Sequence, residues 1–302
     1  MTARTVIIDT DPGLDDAVAI LFALQSGWFE VLGLTTVAGN LGIDVTTRNA
    51  GRLLALLGRG DIPVIAGAGT PLARPGIDEA GIHGNDGLGG VLLPDGAPPF
   101  PGFAPSWMAD RLHEAPAGST DILALGPLTN IALLLRDHAD AAARIGRLIV
   151  MGGVVRDKGN AGPHSEFNFA CDPEATAMVL DAGLDVTIVP LDVTRKVRAD
   201  REYLAALNAK SIAATAAAEL IAAYFKDGRE SRPLHDPCVM LYAVASELFS
   251  KEEQSFSVDV SHGTDAGALL PNAGGFPVSV IMEVEAGGAL ELLGQGLSNP
   301  HP

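Results

Sequence analysis

Short runs of β-branched and aliphatic residues alternate with longer amphipathic stretches as far as about residue 190, and that alternation leaves few folds open. Residues 5–8, 31–36, 63–66, 121–125, 148–151 and 186–189 read as strands, and residues 15–25, 45–57, 130–136 and 173–181 as helices. Gly58-Arg59-Gly60 closes the second helix. Strands this apolar on both faces suit a parallel sheet covered by helices on either side. The pattern predicts an α/β protein with a Rossmann-like, open, mostly parallel sheet flanked by helices. Residues 68–105 break the rhythm with dense Gly and Pro, and long loops of this kind in compact domains often carry function. Residues 201–248 turn helical and Ala-rich, and residues 255–260 and 278–283 read as further strands. No linker, composition shift or repeat divides the chain, so residues 1–302 are expected to form a single domain.

Composition narrows the function classes. With 47% hydrophobic and 19% charged residues the chain is too apolar for disorder. Its formal charge of −17, from 37 acidic against 20 basic residues, leaves no cationic surface for nucleic acid or an anionic membrane. No apolar run reaches the roughly 20 residues needed to span a bilayer, and no signal-peptide pattern follows Met1. Two cysteines, Cys171 and Cys238, make neither a disulfide scaffold nor a zinc site. A soluble, cytoplasmic protein is expected. Phosphate-cradling G-x-x-x-x-G-K-[ST], a strand-linked G-x-G-x-x-G and the G-x-S-x-G serine elbow are all missing, which argues against nucleoside triphosphates, dinucleotides and α/β-hydrolase chemistry.

The first strand runs into Asp9-Thr10-Asp11-Pro12-Gly13-Leu14-Asp15-Asp16, four carboxylates within eight residues. In open α/β sheets the ligand crevice lies at the carboxyl ends of the strands, where this segment falls. Like charges this close repel unless a cation sits among them, and carboxylates without His or Cys favour a hard divalent ion, Ca²⁺ or Mg²⁺. Helix-dipole and turn preferences account for one or two acids at a helix start, not four. Asp236 in His235-Asp236-Pro237 opens another apparent helix, and the adjacent His suits proton transfer near neutral pH. Between them, Met151-Gly152-Gly153 ends a strand and leads to a loop containing Asn160, Glu166, Phe167 and Asn168. Two amides and a carboxylate around an aromatic are what recognition of hydroxyls and a ring requires.

In order along the chain, D-T-D-P-G-L-D-D-A from Asp9, V-A-G-N from Val37, H-G-N-D-G-L-G from His83, L-G-P-L-T-N from Leu125, M-G-G from Met151, E-F-N from Glu166 and H-D-P from His235 resemble the nucleoside hydrolase family. The likeness is to the inosine-uridine type of ribonucleoside N-ribohydrolases and covers residues 5 to about 240. The resemblance implies hydrolysis of the N-glycosidic bond of ribonucleosides to ribose and a free purine or pyrimidine base, as in nucleoside catabolism and salvage, by a homodimer or homotetramer. It implies a bound Ca²⁺ held by the side chains of Asp11, Asp16 and Asp236 and the carbonyl of Leu125, with Asp9 supporting these ligands from behind. Asp11 would also be the general base toward the attacking water. Asp15, Asn40, Asn160, Glu166 and Asn168 would grip the ribose hydroxyls, with Met151 beside them. His235 would be the leaving-group acid, and Phe167, His83 and Tyr224 would line the base pocket. Residues 224–234 fall where the family places base-contacting side chains, and a His before Asp236 favours the inosine-uridine-like group over the purine-specific group. An N-glycosidic bond breaks through an oxocarbenium-like sugar, so a carboxylate-rich pocket suits the chemistry.

Two other readings stay open at this level. Asp9-Thr10-Asp11 after a first strand also fits a haloacid-dehalogenase-like, Mg²⁺-dependent phosphatase, although that chemistry needs a later Lys and a phosphate cradle. A non-catalytic, calcium-stabilised nucleoside-binding protein would use the same pocket.

Overall fold

The computed structural model describes residues 3–207, 209–225 and 230–299. Among the described residues eleven strands follow in chain order: β1 (Arg4–Thr10), β2 (Phe29–Thr36), β3 (Val64–Ala66), β4 (Asp121–Ala124), β5 (Leu148–Met151), β6 (Val186–Val189), β7 (Arg198–Asp200), β8 (Ser231–Pro233), β9 (Phe249–Val258), β10 (Leu269–Pro271) and β11 (Pro277–Val284). Nine of them form one sheet in the order β10-β9-β11-β6-β5-β4-β1-β2-β3, while β7 and β8 pair separately. All pairings from β3 to β11 across the sheet are parallel, and near the other edge β9 runs antiparallel to both its neighbours, β11 and β10. This is the expected open, mostly parallel architecture.

Period-two alternation assigns each strand residue to a face. Val6 and Ile8 of β1 pack into the core beneath helix Leu14–Gln25, whereas Ile7 between them packs into the core on the opposite face. Every residue of Leu14–Gln25 is buried, because helices Ile212–Ala223, Pro237–Val244 and Ala286–Ser298 surround it. The other face is covered by helices Ala104–Glu114, Thr129–Asp137 and Pro173–Leu180.

The order 3-2-1-4-5-6 reverses between β1 and β4, and ligands of doubly wound sheets bind at such a reversal, outside the carboxyl ends of the strands. Asp9 pairs with Ala124 across this seam, and the Leu125 N–H donates to the Asp9 carbonyl at 2.7 Å. The acidic segment after β1 and the L-G-P-L-T-N segment after β4 therefore emerge side by side.

Four elements depart from the sequence reading. The stretch expected to be helical from residue 201 to 248 is interrupted by β8, which closes a two-stranded ribbon with β7. The strand expected at 255–260 starts earlier, at Phe249, because the polar Lys251–Gln254 segment hydrogen-bonds to β11 while its side chains face solvent. Helices Ala104–Glu114 and Ala286–Ser298 also arise where no helix is expected.

Candidate active site

Asp9, the last inward-facing acid of β1, is fully buried. Its Oδ1 accepts from Thr35 Oγ1 at 2.6 Å and from Asn130 Nδ2 at 2.8 Å. Asn130 is the final residue of L-G-P-L-T-N, and it also accepts the N–H of Ala68 at 2.9 Å, so that motif braces the acid from the neighbouring strand end. Burial pushes the Asp9 carboxyl up to about 7, partly offset by these two donors.

Two residues on, Asp11 sits between Gly39 and Gly126, each of which would drive a Cβ into its carboxylate. Oδ2 accepts the backbone N–H of Asn40 at 2.6 Å, whereas Oδ1 is buried with no hydrogen-bond partner among the described residues. Asp16, in the first turn of Leu14–Gln25, accepts from Thr10 Oγ1 at 2.6 Å, Gly13 N at 3.0 Å and Asn40 Nδ2 at 3.0 Å. Asp236 occupies the N-cap position of Pro237–Val244, but its carboxylate makes no capping bond and turns toward the other acids.

Carboxylate oxygens of Asp15, Asp16 and Asp236 lie within 4.8 Å of one another, and all three side chains are buried. Burial raises Asp11, Asp16 and Asp236 above the usual carboxylate range, and their mutual negative charge adds to it. An all-oxygen, buried, self-repelling cluster with an orphaned Oδ1 beside it fits a hard divalent cation. Leu125 lines the same cavity.

One wall is built by helix Phe167–Cys171. Glu166 caps it, accepting from the N–H groups of Asn168 at 2.9 Å and Phe169 at 3.2 Å, and reaches back to the Gly153 N–H at 3.0 Å. Burial raises this carboxyl to about 7 against those three donors. Asn168 Nδ2 donates to the carbonyls of Leu125, at 2.6 Å, and Met151, at 3.2 Å, which leaves its Oδ1 for another donor. Asn160 Oδ1 accepts the Phe167 N–H at 2.9 Å and so ties the 159–165 loop to the helix start.

Aromatic and imidazole groups form the opposite wall. Tyr224 donates its hydroxyl to Asp15 Oδ1 at 2.7 Å and meets the His83 ring edge-on at 5.8 Å. The Leu14 N–H donates to His83 Nδ1 at 3.0 Å, so that nitrogen is unprotonated and Nε2 carries the proton. His235 Nδ1 is 2.7 Å from Thr194 Oγ1, and burial holds its pKa below the ordinary histidine value against the opposing pull of the Asp15 charge.

The cavity collects Asp15, Asn40, His83, Leu125, Met151, Asn160, Glu166, Phe167, Asn168, Tyr224, His235 and Asp236, with Asp11 and Asp16 buried beneath. Every residue singled out from the sequence is thus at or under one pocket. Glu79, Ile82, Arg232 and Pro233 line it too, without a sequence signal that separates them from ordinary loop residues. Arg232 lies over the Tyr224 ring at 5.1 Å and donates to the Tyr224 carbonyl at 2.7 Å. Of the segment 224–234 expected to contact the base, residues 226–229 lie outside the described residues. No described helix is long and apolar enough to cross a membrane.

The family model described as inosine-uridine preferring nucleoside hydrolase matches residues 6–291. The chain is 38% identical to the pyrimidine-specific ribonucleoside hydrolase RihA of Shewanella woodyi, over 97% of this chain and 98% of that protein. RihA of Salmonella arizonae is also 38% identical, over 98% of both chains. Among solved structures, a plant nucleoside hydrolase superposes with a TM-score of 0.91 at 33% identity, covering 98% of this chain and 99% of that one. The purine-preferring ribonucleoside hydrolase from Gardnerella vaginalis gives 0.91 at 26% identity, covering 98% of each. With matching sequence over nearly its full length and acids converging at the sheet's switch point, the chain belongs to the nucleoside hydrolase family and is a ribonucleoside hydrolase.

Proposed function

We propose that the protein hydrolyses the N-glycosidic bond of purine or pyrimidine ribonucleosides in a Ca²⁺-dependent reaction that passes through an oxocarbenium-like ribosyl cation. The observation that carries this reading is the buried cluster of Asp15, Asp16 and Asp236 beside the unpartnered Asp11 Oδ1. Asp11, Asp16, Asp236 and the Leu125 carbonyl would hold the ion, with Asp9 behind them. When bound, calcium supplies the charge that lets these carboxylates ionise together and makes a nearby water more acidic.

The chain's own residues supply the rest. Asp11, fixed through Oδ2 by the Asn40 N–H, takes the proton of the attacking water at its unpartnered Oδ1. Asp15, Asn40, Asn160, Glu166 and Asn168 orient the ribose by accepting and donating at its hydroxyls, and the negative charge of the carboxylates favours the developing sugar cation. His83, Phe167 and Tyr224 pack on the base, while Met151 closes the floor. His235, held by Thr194, donates toward the departing base so that it leaves neutral.

The names of the relatives span pyrimidine-specific and purine-preferring hydrolases. A panel of inosine, uridine, cytidine and adenosine, assayed for released ribose with and without a strong chelator, tests activity, base preference and metal dependence together. Ribose release abolished by chelation and restored by Ca²⁺ is expected. Release of phosphate from phosphomonoesters, with none of base from nucleosides, would overturn the proposal.

A further inference from the structure

We propose that Thr194 is a positioning residue for the leaving-group acid: its hydroxyl occupies Nδ1 of His235 and so reserves Nε2 for the departing base. The inference rests on the reading of the pocket as a ribonucleoside hydrolase site in which His235 protonates the leaving group.

Thr194 ends a single helical turn, Leu191–Thr194, that follows β6, and it is fully buried. A threonine in a helical turn ordinarily donates its hydroxyl to the carbonyl three or four residues back. Here both of those carbonyls already accept main-chain bonds, Pro190 from the N–H groups of Val193 and Thr194, and Leu191 from that of Arg195. Among the described residues the Thr194 hydroxyl meets only His235 Nδ1, at 2.7 Å.

Both partners are held from one segment. Asp192 accepts the N–H groups of Val155 at 2.8 Å and Arg156 at 2.6 Å, and the Leu191 N–H donates to the Gly153 carbonyl at 3.0 Å, which braces the turn. The Leu234 N–H donates to the Val197 carbonyl at 2.9 Å, and β7 pairs with β8 from Arg198 opposite Pro233. The ribbon thus fixes the main chain leading into His235, while Thr194 fixes its ring. His235 lines the pocket, and with Nδ1 engaged on Thr194, Nε2 is the ring nitrogen left for the substrate. A hydroxyl accepts from a protonated Nδ1 and donates to a bare one, so it holds the ring in either form, whereas a carbonyl would hold only the first. In the cleavage step the Nε2 proton passes to the base and the electron pair of the C1′–N bond leaves with it. Nδ1 keeps its own proton against Thr194 Oγ1.

The test compares the nucleoside that the calcium-loaded enzyme hydrolyses fastest, whose base needs a proton to leave, with 4-nitrophenyl β-D-ribofuranoside, whose phenolate leaves without one. The ratio of the two kcat/KM values within each protein cancels any general loss of folding or metal. In His235→Ala this nucleoside-to-nitrophenyl ratio should fall by about 10²- to 10⁴-fold. In Thr194→Val and Thr194→Ala it should fall by about tenfold or more, whereas Thr194→Ser, which keeps the hydroxyl, should hold the native ratio. Added to His235→Ala, Thr194→Val should lower the ratio no further. An unchanged ratio in the Val and Ala variants, or the same further loss without His235, would overturn the role of Thr194 while leaving the hydrolase reading intact. A native ratio in His235→Ala would instead remove the acid on which the inference rests.

Discussion

The backbone N–H of Asn40 donates to Asp11 Oδ2 at 2.6 Å, and this one bond orients the carboxylate so that Oδ1 is the oxygen left without a partner. A fully buried oxygen in that state is costly unless something positive or protic meets it. Asp11→Ala removes a proposed metal ligand and the proposed base together. Activity toward any nucleoside should fall by more than the 10²- to 10⁴-fold typical of losing a general acid or base alone, roughly speaking. Addition of Ca²⁺ should raise the native melting temperature by several degrees, as a ligand at about 100 times its Kd contributes about 2.7 kcal/mol. That rise should shrink or vanish in the variant, and near-native turnover in Asp11→Ala would reject the mechanism.

His235→Ala separates leaving-group protonation from metal binding. The imidazole touches Thr194 rather than the carboxylate cluster, so its loss should leave calcium's thermal stabilisation intact. Turnover of inosine should drop by about 10²- to 10⁴-fold. Unchanged inosine turnover would exclude His235 as the acid.

Residues that end strands were legible from the sequence, since a parallel sheet delivers every strand end to the same crevice: Asp11 after β1, Leu125 after β4 and Met151 at the end of β5. Asp236 was a weak signal alone, because an Asp before Pro suits any helix start, and only the fold shows its carboxylate turned away from capping. Glu79 and Arg232 had no signal, for they stand in segments whose conformation follows turn chemistry and tertiary contacts rather than periodicity. Helix Ala104–Glu114 hides behind Pro105, which reads as a breaker yet sits in the first turn, where proline is tolerated. Helix Ala286–Ser298 contains four glycines that lower its intrinsic propensity, and its Gly296 lies so close to Phe22 that no side chain fits.

Glu166 makes the metal-free protein's stability depend on pH. Burial lifts its folded pKa from 4.5 to about 7, so the folded state holds a proton that the unfolded chain releases between those values. The stability this contributes is complete below 4.5 and is lost as pH rises through about 7. In chelator, native protein should therefore lose stability from about pH 5 to 8 more steeply than Glu166→Gln, by up to about 3 kcal/mol. The variant's weaker cap shifts its curve without changing its slope. Parallel melting-temperature profiles would contradict the assignment.

Gly126 tests whether the space around Asp11 is what the glycine motifs protect. A Cβ there would strike Asp11 Oδ1 and come to 3.1 Å from Val37 Cγ1, while a Cβ at Gly39 would strike Oδ2 from the other side. Neither glycine has a positive φ, so alanine acts through lost room rather than backbone strain. Gly126→Ala should keep the fold, read by circular dichroism, yet displace the carboxylate and weaken both kcat/KM and the calcium-induced thermal shift. About tenfold or more is expected in kcat/KM, given how steeply catalysis falls when a reacting group moves by about 1 Å. Gly58→Ala supplies the contrast: its φ of +66° opposes a side chain, but nothing lies within 4 Å of the added atom. That variant should lose about 1 kcal/mol of stability with native kcat/KM. Equal kinetic effects from the two substitutions would show that general destabilisation, rather than the Asp11 position, governs the activity.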